Sequence, residues 1–385
     1  MSRISKSHGV AVVGTGFIGP VHVEALRRLG QNVLGILGSS AEKSHAAADS
    51  LGLAKGYASF EELLADPAVE VVHLASPNRH HFEQCQQALA AGKHIVCEKP
   101  LAMTSRETAE LVRLAAAKPS LVTAVNYNIR FYPLCLEARE RIRSGQLGDV
   151  FHVTGSYLQD WLLFPTDFNW RVQAEAGGEL RAIADIGTHW LDLISFITGR
   201  TIAAVCADLR TVHPIRQKPL GGSETFTASR AGERATQAVP IMTEDYGSVL
   251  LRFDDGARGC LTVSQVAAGR KNCLRFDIAG SKASLAWDSE EPNSITIGHR
   301  DRANESLTRD PGLLSPGVQP FANYPGGHAE GFPDSFKQLY RCIYGAIDHP
   351  TATLLYPTFA DGHREVLLCE AILQSHREQR WVSVG

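Results

Sequence analysis

The chain has 385 residues, enough for two or three domains with an ample core. Lys and Arg total 38 against 41 for Asp and Glu, a formal charge of −3, with 44% apolar and 21% charged residues. That balance carries no electrostatic footprint for nucleic acid or an anionic membrane surface, and it fits an ordinary globular protein.

Arg3 and Lys6 precede the apolar run GVAVVGTGFIG, which loosely mimics a secretory leader. The helical pattern PVHVEALRRLG follows at once, with no small-residue cleavage site. No run of about 18 apolar residues occurs, so no membrane span is expected and the expected location is cytoplasmic. Eight cysteines (Cys85, Cys97, Cys135, Cys206, Cys260, Cys273, Cys342 and Cys369) include no CxxC pair and sit mostly in apolar runs. They read as free thiols in a reducing compartment rather than a disulfide framework or a zinc site.

In chain order, VAVV at 10–13 predicts a buried strand that ends in glycine. Val21, Ala25, Leu26 and Leu29 share a helical face, and Gly30 can end that helix. NVLGIL at 32–37 is a second strand. Ser59 and Glu62 form a capping box that opens a helix. VEVVHLAS at 69–76 is a third strand, and a helix over about 80–91 ends at Gly92. HIVC at 94–97 is a fourth, Thr104 and Glu107 cap a helix to about Ala117, and LVTAV at 121–125 is a fifth. Alternating strands and helices imply a parallel sheet with helices on both faces.

Beyond 125 the rhythm changes. A helix near 133–144 leads through GQLGD into the strand FHVTGSYL, and the helix holding ADIGTHWLDL follows. From 246 the pattern is an antiparallel meander: YGSVLLRF, ARGCLTVSQV, NCLRFDIAG, KASLAW. The polar stretch 214–245 reads as an excursion between strands, a lid or a subunit contact. Gly326, Gly327 and Gly331 surround His328 in a loop, and 358–379 is helical. The expected fold is an α/β Rossmann domain at 1–125, followed by an α+β domain at 126–385 with an open, mainly antiparallel sheet.

Gly14, Gly16 and Gly19 form GxGxxG between a strand and a helix, the context in which the pattern carries meaning. Gly14 permits the tight turn, Gly16 lets backbone approach a pyrophosphate, and Gly19 lets helix and strand pack closely. The helix N-terminus then faces the phosphates with unbonded N–H groups. Phe17 and Ile18 lie within the same turn. An acid normally ends the second strand and binds the adenosine ribose. Here Gly38, Ser39, Ser40 and, further on, Lys43 stand there instead. That removes a repulsion against a 2′-phosphate, so NAD and NADP both remain open.

Glu98-Lys99-Pro100 follows HIVC directly, at a strand C-terminus where open α/β sheets build their ligand crevice. Ser76, Asn78, His81, Glu98, Lys99 and Asn126 complete the expected coenzyme contacts. In ADIGTHWLDL, Asp185, His189 and Asp192 are spaced four and three apart, one helical face. Three plainer readings of this segment stand beside catalysis. Asp185 can be an N-cap, His189 can be a core histidine, and the three side chains can bind a metal. No further His/Cys cluster supports the metal, so none is expected. Asp192 reads as a structural carboxylate.

GTGFIG, EKP at 98–100 and AGGELRAIADIGTHWLDL together resemble the glucose–fructose oxidoreductase / inositol dehydrogenase / MocA family over essentially the whole chain. YLQDW at 157–161, Trp170-Arg171 and PGGHAEGF at 325–332 resemble its sugar-oxidising branch, with levoglucosan and inositol dehydrogenases. The resemblance implies hydride transfer between NAD(P) and a secondary hydroxyl of a sugar, anhydrosugar or cyclitol. It also implies a homodimer or homotetramer, and Lys99, Asp185 and His189 as the catalytic group. In that chemistry His189, with an ordinary pKa near neutrality, suits the base, and Lys99 stabilises the developing alkoxide. Asp185 binds a neighbouring hydroxyl or orients the pair. Arg130, Asp160, Trp161, Trp170, Arg171 and His328 supply the polar groups and apolar platform expected for a sugar. Two other functions use the same scaffold. One is a glycoside-cleaving enzyme with tightly bound NAD and transient oxidation; the other is a non-catalytic NAD(P)-binding sensor.

Overall fold

The computed structural model describes residues 6–220, 235–350 and 355–385, in two compact units. The first contains residues up to Asn128 together with Pro333–Val366; the second contains Ile129–Phe332 and Leu367–Gly385. The first boundary lies close to the expected 125. The return of 333–366 to the first unit leaves no mark in the strand–helix rhythm.

The first unit is built on a six-stranded parallel sheet: β1 Gly9–Val13, β2 Asn32–Leu37, β3 Lys55–Gly56, β4 Val71–Leu74, β5 His94–Cys97 and β6 Thr123–Val125, in the spatial order 3-2-1-4-5-6. Its strands are nearly continuous apolar runs because helices cover both faces. The helices are α1 Ile18–Arg28, α2 Ala41–Leu51, α3 Phe60–Ala65, α4 His81–Ala90 and α5 Ser105–Ala116. The reciprocal capping box forms at Thr104 and Glu107. At α3 only half of it forms: Ser59 Oγ accepts from the Glu62 N–H, while the Glu62 carboxylate turns to the Ala58 N–H. The core runs from Ala11, Val72 and Leu74 through Leu101 and Leu111 to Phe359.

The second unit carries a nine-stranded sheet. Its helices α6 Pro133–Arg143, α7 Ala174–Gly177 and α8 Thr188–Thr198 are accompanied by β7 Val150–Leu158, β8 Ile202–Arg210, the β9–β10 hairpin (Ile215–Pro219 with Thr236–Pro240), β11 Tyr246–Phe253, β12 Arg258–Ser264, β13 Cys273–Gly280, β14 Ser284–Asp288, β15 Ser294–Gly298, β16 Glu305–Thr308 and β17 Val382–Ser383. The large sheet runs 16-15-14-13-7-12-11-8-17. The chain from 246 is therefore not one continuous meander. β7 is inserted between β12 and β13, parallel to β12 and antiparallel to β13. A meander is the local solution; here an earlier strand had already taken the place beside β12. The excursion at 214–245 contains the β9–β10 hairpin, and its 221–234 portion lies outside the described residues. Gly155 on β7 is needed sterically, because a Cβ there would overlap the Trp190 ring, whose Nε1 donates to the Arg275 carbonyl at 2.8 Å. That fit fixes α8 against the sheet.

Candidate functional site

In the first unit the glycine turn has the geometry its sequence predicts. Gly14 adopts φ +119°, and a Cβ there would overlap the Ala75 carbonyl; one on Gly19 would overlap the Gly14 carbonyl. A Cβ on Gly16 would meet no protein atom within 4 Å, which is space a bound phosphate group can use. No side chain caps α1 and its first turn holds no acid, so its N-terminal field is uncancelled. These features fit a dinucleotide. Past β2, Ser40 caps α2 by accepting from the Lys43 N–H, and Lys43 Nζ donates to Ser39 Oγ at 3.1 Å, all three side chains at the surface.

Glu98 is the hub of this unit. It is buried and accepts from His22 Nε2 at 3.1 Å, from the Asn126 amide and from the Lys99 N–H at 3.2 Å. Burial pushes its carboxyl up, but the His22 imidazole, the Lys99 ammonium and the Asn126 amide outweigh that and hold it at about 2. His22 Nδ1 lies 3.0 Å from His73 Nδ1, and His73 Nε2 lies 3.0 Å from the Tyr344 hydroxyl. Burial, helped by His22, holds His73 well below its ordinary pKa. An ionised Glu98 needs an N–H at His22 Nε2. Neither His22 nor His73 was singled out from the sequence, since a single histidine in PVHVEAL or VVHLAS looks like core filler. Asn126 keeps a buried Oδ1 with no hydrogen-bond partner among the described residues, an acceptor that a bound donor would satisfy.

Two of the residues expected at the coenzyme also bind the scaffold. His81 is fully buried, with Nδ1 2.8 Å from the Pro100 carbonyl and Nε2 2.9 Å from the Ser76 carbonyl, so it ties two loops together. The Ser76 hydroxyl donates to Gln84 at 2.6 Å. Asn78 opens a short 3-10 turn ahead of α4.

In the second unit, ADIGTHWLDL does not present its three polar residues on one helical face. Residues Ile183–Gly187 form a π turn and α8 begins only at Thr188. Such a turn widens the helix and re-aims a side chain. Asp185 is not an N-cap: it accepts from Gln265 Nε2 at 2.8 Å and pairs with Arg171 Nε at 3.3 Å. His189 is buried, 6.2 Å from the Tyr157 ring between centroids. Asp192 points elsewhere, into a buried pair with Arg130. Among the described residues the side chains that converge as a metal site would are Cys273, Asp288 and Glu290, so the three residues of the motif do not make one.

Arg130, expected to meet substrate, is occupied in the core of this unit. It is buried, donates through Nε and Nη2 to both Asp192 oxygens, and lies over the Phe196 ring at 4.8 Å. Arg171 stacks on Trp170 at 4.5 Å while reaching Asp185, so those three predicted residues do gather. Asp160 binds Lys271 at 2.7 Å, and Trp161 Nε1 donates to Gln159, which itself donates to Asn272. His328 is exposed in a loop whose carbonyls are held by buried Arg309, which also pairs with Glu330. Sequence reading missed the support beneath Asp185. Glu244 accepts from the Arg181 and Ile183 N–H groups, capping the π turn from a distant strand end, and burial pushes its carboxyl up. Asp245 binds both Arg181 and Arg216, and despite burial these and the His213 N–H pull its carboxyl down. The dipeptide Glu244-Asp245 carries no local signal of these roles.

Residues 8–127 match the model for an oxidoreductase family with an NAD-binding Rossmann fold, and residues 135–286 match the GFO/IDH/MocA C-terminal domain. A levoglucosan dehydrogenase of Pseudarthrobacter phenanthrenivorans is 29% identical, over 97% of each chain. The structure of a levoglucosan dehydrogenase in complex with NADH and L-sorbose superposes with TM-score 0.88 at 28% identity, covering 98% of this chain and 99% of that one. An inositol dehydrogenase homolog from Azotobacter vinelandii, complexed with NAD+, gives 0.86 at 28% identity, covering 99% and 98%. Among the described residues no helix is long and apolar enough to cross a membrane. The chain belongs to the Gfo/Idh/MocA family of NAD-binding Rossmann oxidoreductases.

Proposed function

We propose that the protein oxidises a secondary hydroxyl of a sugar, anhydrosugar or cyclitol, with NAD or NADP as hydride acceptor. The single observation that carries this reading is the wide turn that sets Asp185, between Gln265 and Arg171, one turn ahead of the buried His189. The similarity to levoglucosan and inositol dehydrogenases, complexed with NADH and L-sorbose and with NAD+, supports the substrate class. The nicotinamide supplies the hydride acceptor when bound. His189 takes the hydroxyl proton, a role an imidazole side chain can fill near neutral pH. Lys99, its backbone held by Glu98, donates a hydrogen bond to the same oxygen and stabilises the developing alkoxide. Asp185 and Arg171 read the neighbouring hydroxyls, and Trp170 offers an apolar ring face. The absence of an acid after β2 leaves both coenzymes acceptable.

The test is net formation of reduced coenzyme, with NAD+ and NADP+ in turn, against a panel of anhydrosugars, aldoses and inositols. Turnover lost in both Lys99→Ala and His189→Ala is the expected result. Glycoside cleavage without net NAD(P)H would replace the dehydrogenase with the transient-oxidation reaction. Nucleotide binding with no turnover across the panel would favour the sensor.

A further inference from the structure

We infer that Gln265 is a positioning residue for Asp185, held in one amide orientation by Arg181 so that it always presents a donor to that carboxylate. The inference deepens the proposed function and rests on it for the role of Asp185.

The geometry is one-directional. Gln265 is fully buried at the end of β12. Arg181 Nη1 donates to Gln265 Oε1 at 3.2 Å, and Gln265 Nε2 donates to Asp185 Oδ2 at 2.8 Å. A guanidinium can only donate and an ionised carboxylate only accept, so flipping the amide would break both bonds at once. Arg181 is itself pinned: its Nη2 is on Asp245, which also takes Arg216 Nη2 at 2.7 Å. Arg216 continues outward to the Leu162, Phe164 and Asp167 carbonyls at 2.9 Å each. Charges therefore alternate along a line that is buried through Arg216, Asp245, Arg181 and the neutral amide and reaches the half-buried pair of Asp185 and Arg171.

The neutral link has a physical reason. Between a cation and an anion, a side chain must accept on one side and donate on the other. Glu would repel Asp185, and Lys or Arg would repel Arg181. Of the side chains that reach, an amide satisfies both. The bond to Nε2 favours the ionised form of Asp185 and fixes the rotamer that the π turn aims.

The test uses the full chain with 13Cγ-labelled aspartate, and Asp185→Asn to assign the resonance. Gln265→Glu keeps the shape and the acceptor to Arg181 but turns the donor into an acceptor; Gln265→Met removes the donor without adding charge. The Asp185 titration midpoint should rise by a unit or more in Gln265→Glu and by less in Gln265→Met. An unchanged midpoint in both overturns the proposal. In parallel, turnover of levoglucosan and myo-inositol is followed against pH. Gln265→Glu should lower kcat more than it changes KM across that range. Wild-type turnover in Asp185→Asn would sink the functional reading of Asp185 while leaving the titration result standing.

Discussion

Glu98 and Asp185 are both carboxylates beside proposed catalytic groups, yet their surroundings are built differently. Glu98 accepts from two amide-type donors and from a chain of histidines ending on a tyrosine, with the Lys99 ammonium beside it, and its neighbours His22, His73 and Asn126 come from α1, β4 and the end of β6. Asp185 is held by arginine and glutamine that reach it from β12, the turn before α8 and the loop near 171. Both settings join distant residues: 76 positions separate His22 from Glu98, and 80 separate Gln265 from Asp185. Only the second is backed by several buried arginines. A buried arginine network is costly to leave half-made, so the second setting should be the more brittle.

The largest effect expected separates chemistry from scaffold. Lys99→Ala and His189→Ala should each lower kcat by about 10²–10⁴, with unfolding midpoints near wild type, measured by initial rates and urea denaturation. A large loss of stability instead would place them in the scaffold.

Next in size is the contrast between two ion pairs of the second unit. Asp192 and Arg130 are 2% and 7% exposed at their side chains, whereas Lys271 opposite Asp160 is 78% exposed. Asp192→Ala leaves a buried guanidinium without its partner and should cost about 3–5 kcal/mol. Asp160→Ala should cost about 0–1 kcal/mol. Equal urea midpoints for the two variants would break the distinction.

The third concerns pH. The folded carboxyl of Glu98 lies at about 2, below its ordinary value. Its ionised form therefore stabilises the fold fully above about pH 4.5, and that contribution fades as pH falls toward 2, on the order of 3 kcal/mol in all. Glu98→Gln cannot titrate, so the variant should be less stable at neutral pH and should lose less stability across that acid window. Parallel stability–pH curves for the two proteins would show that Glu98 is not held as described.

How much of this was legible follows the same division. In the first unit, strand boundaries at 32–37 and 94–97, the Thr104 cap and the role of each glycine in GTGFIG could all be read, because each depends on residues adjacent in sequence. His22 and His73 could not, since the register of β4 beside α1 is what turns two apolar-run histidines into a relay. In the second unit the positions of Asp185 and His189 were readable, but the direction of Asp192 was not. The π turn at 183–187 breaks the 3.6 period on which the shared-face argument stood, and Arg130 drew Asp192 into the core. β7 between β12 and β13 was equally hidden, because strand order is a property of the whole sheet.

A smaller and sharper contrast lies inside the glycine turn. Gly14→Ala forces a Cβ into a left-handed backbone and onto the Ala75 carbonyl, so the fold itself should lose about 1–3 kcal/mol. Gly16→Ala meets nothing in the protein and should leave stability unchanged while weakening nucleotide affinity, by fluorescence titration with NADH and NADPH. Unchanged affinity in Gly16→Ala would remove the pyrophosphate from that space.

The smallest effect expected is at the end of β2. Lys43 is exposed and its ammonium already rests on Ser39, so any attraction it adds to a 2′-phosphate is screened by water and must first give up that contact. An exposed charge pair of this kind is worth about 0–1 kcal/mol, which limits the loss of NADPH affinity in Lys43→Ala to about fivefold, with NADH binding unmoved. Raising the salt concentration should shrink the difference further. A loss well beyond fivefold would mean that Lys43 leaves Ser39 and closes on the phosphate in a water-poor setting. Choice between the coenzymes would then rest on that one side chain rather than on the missing acid.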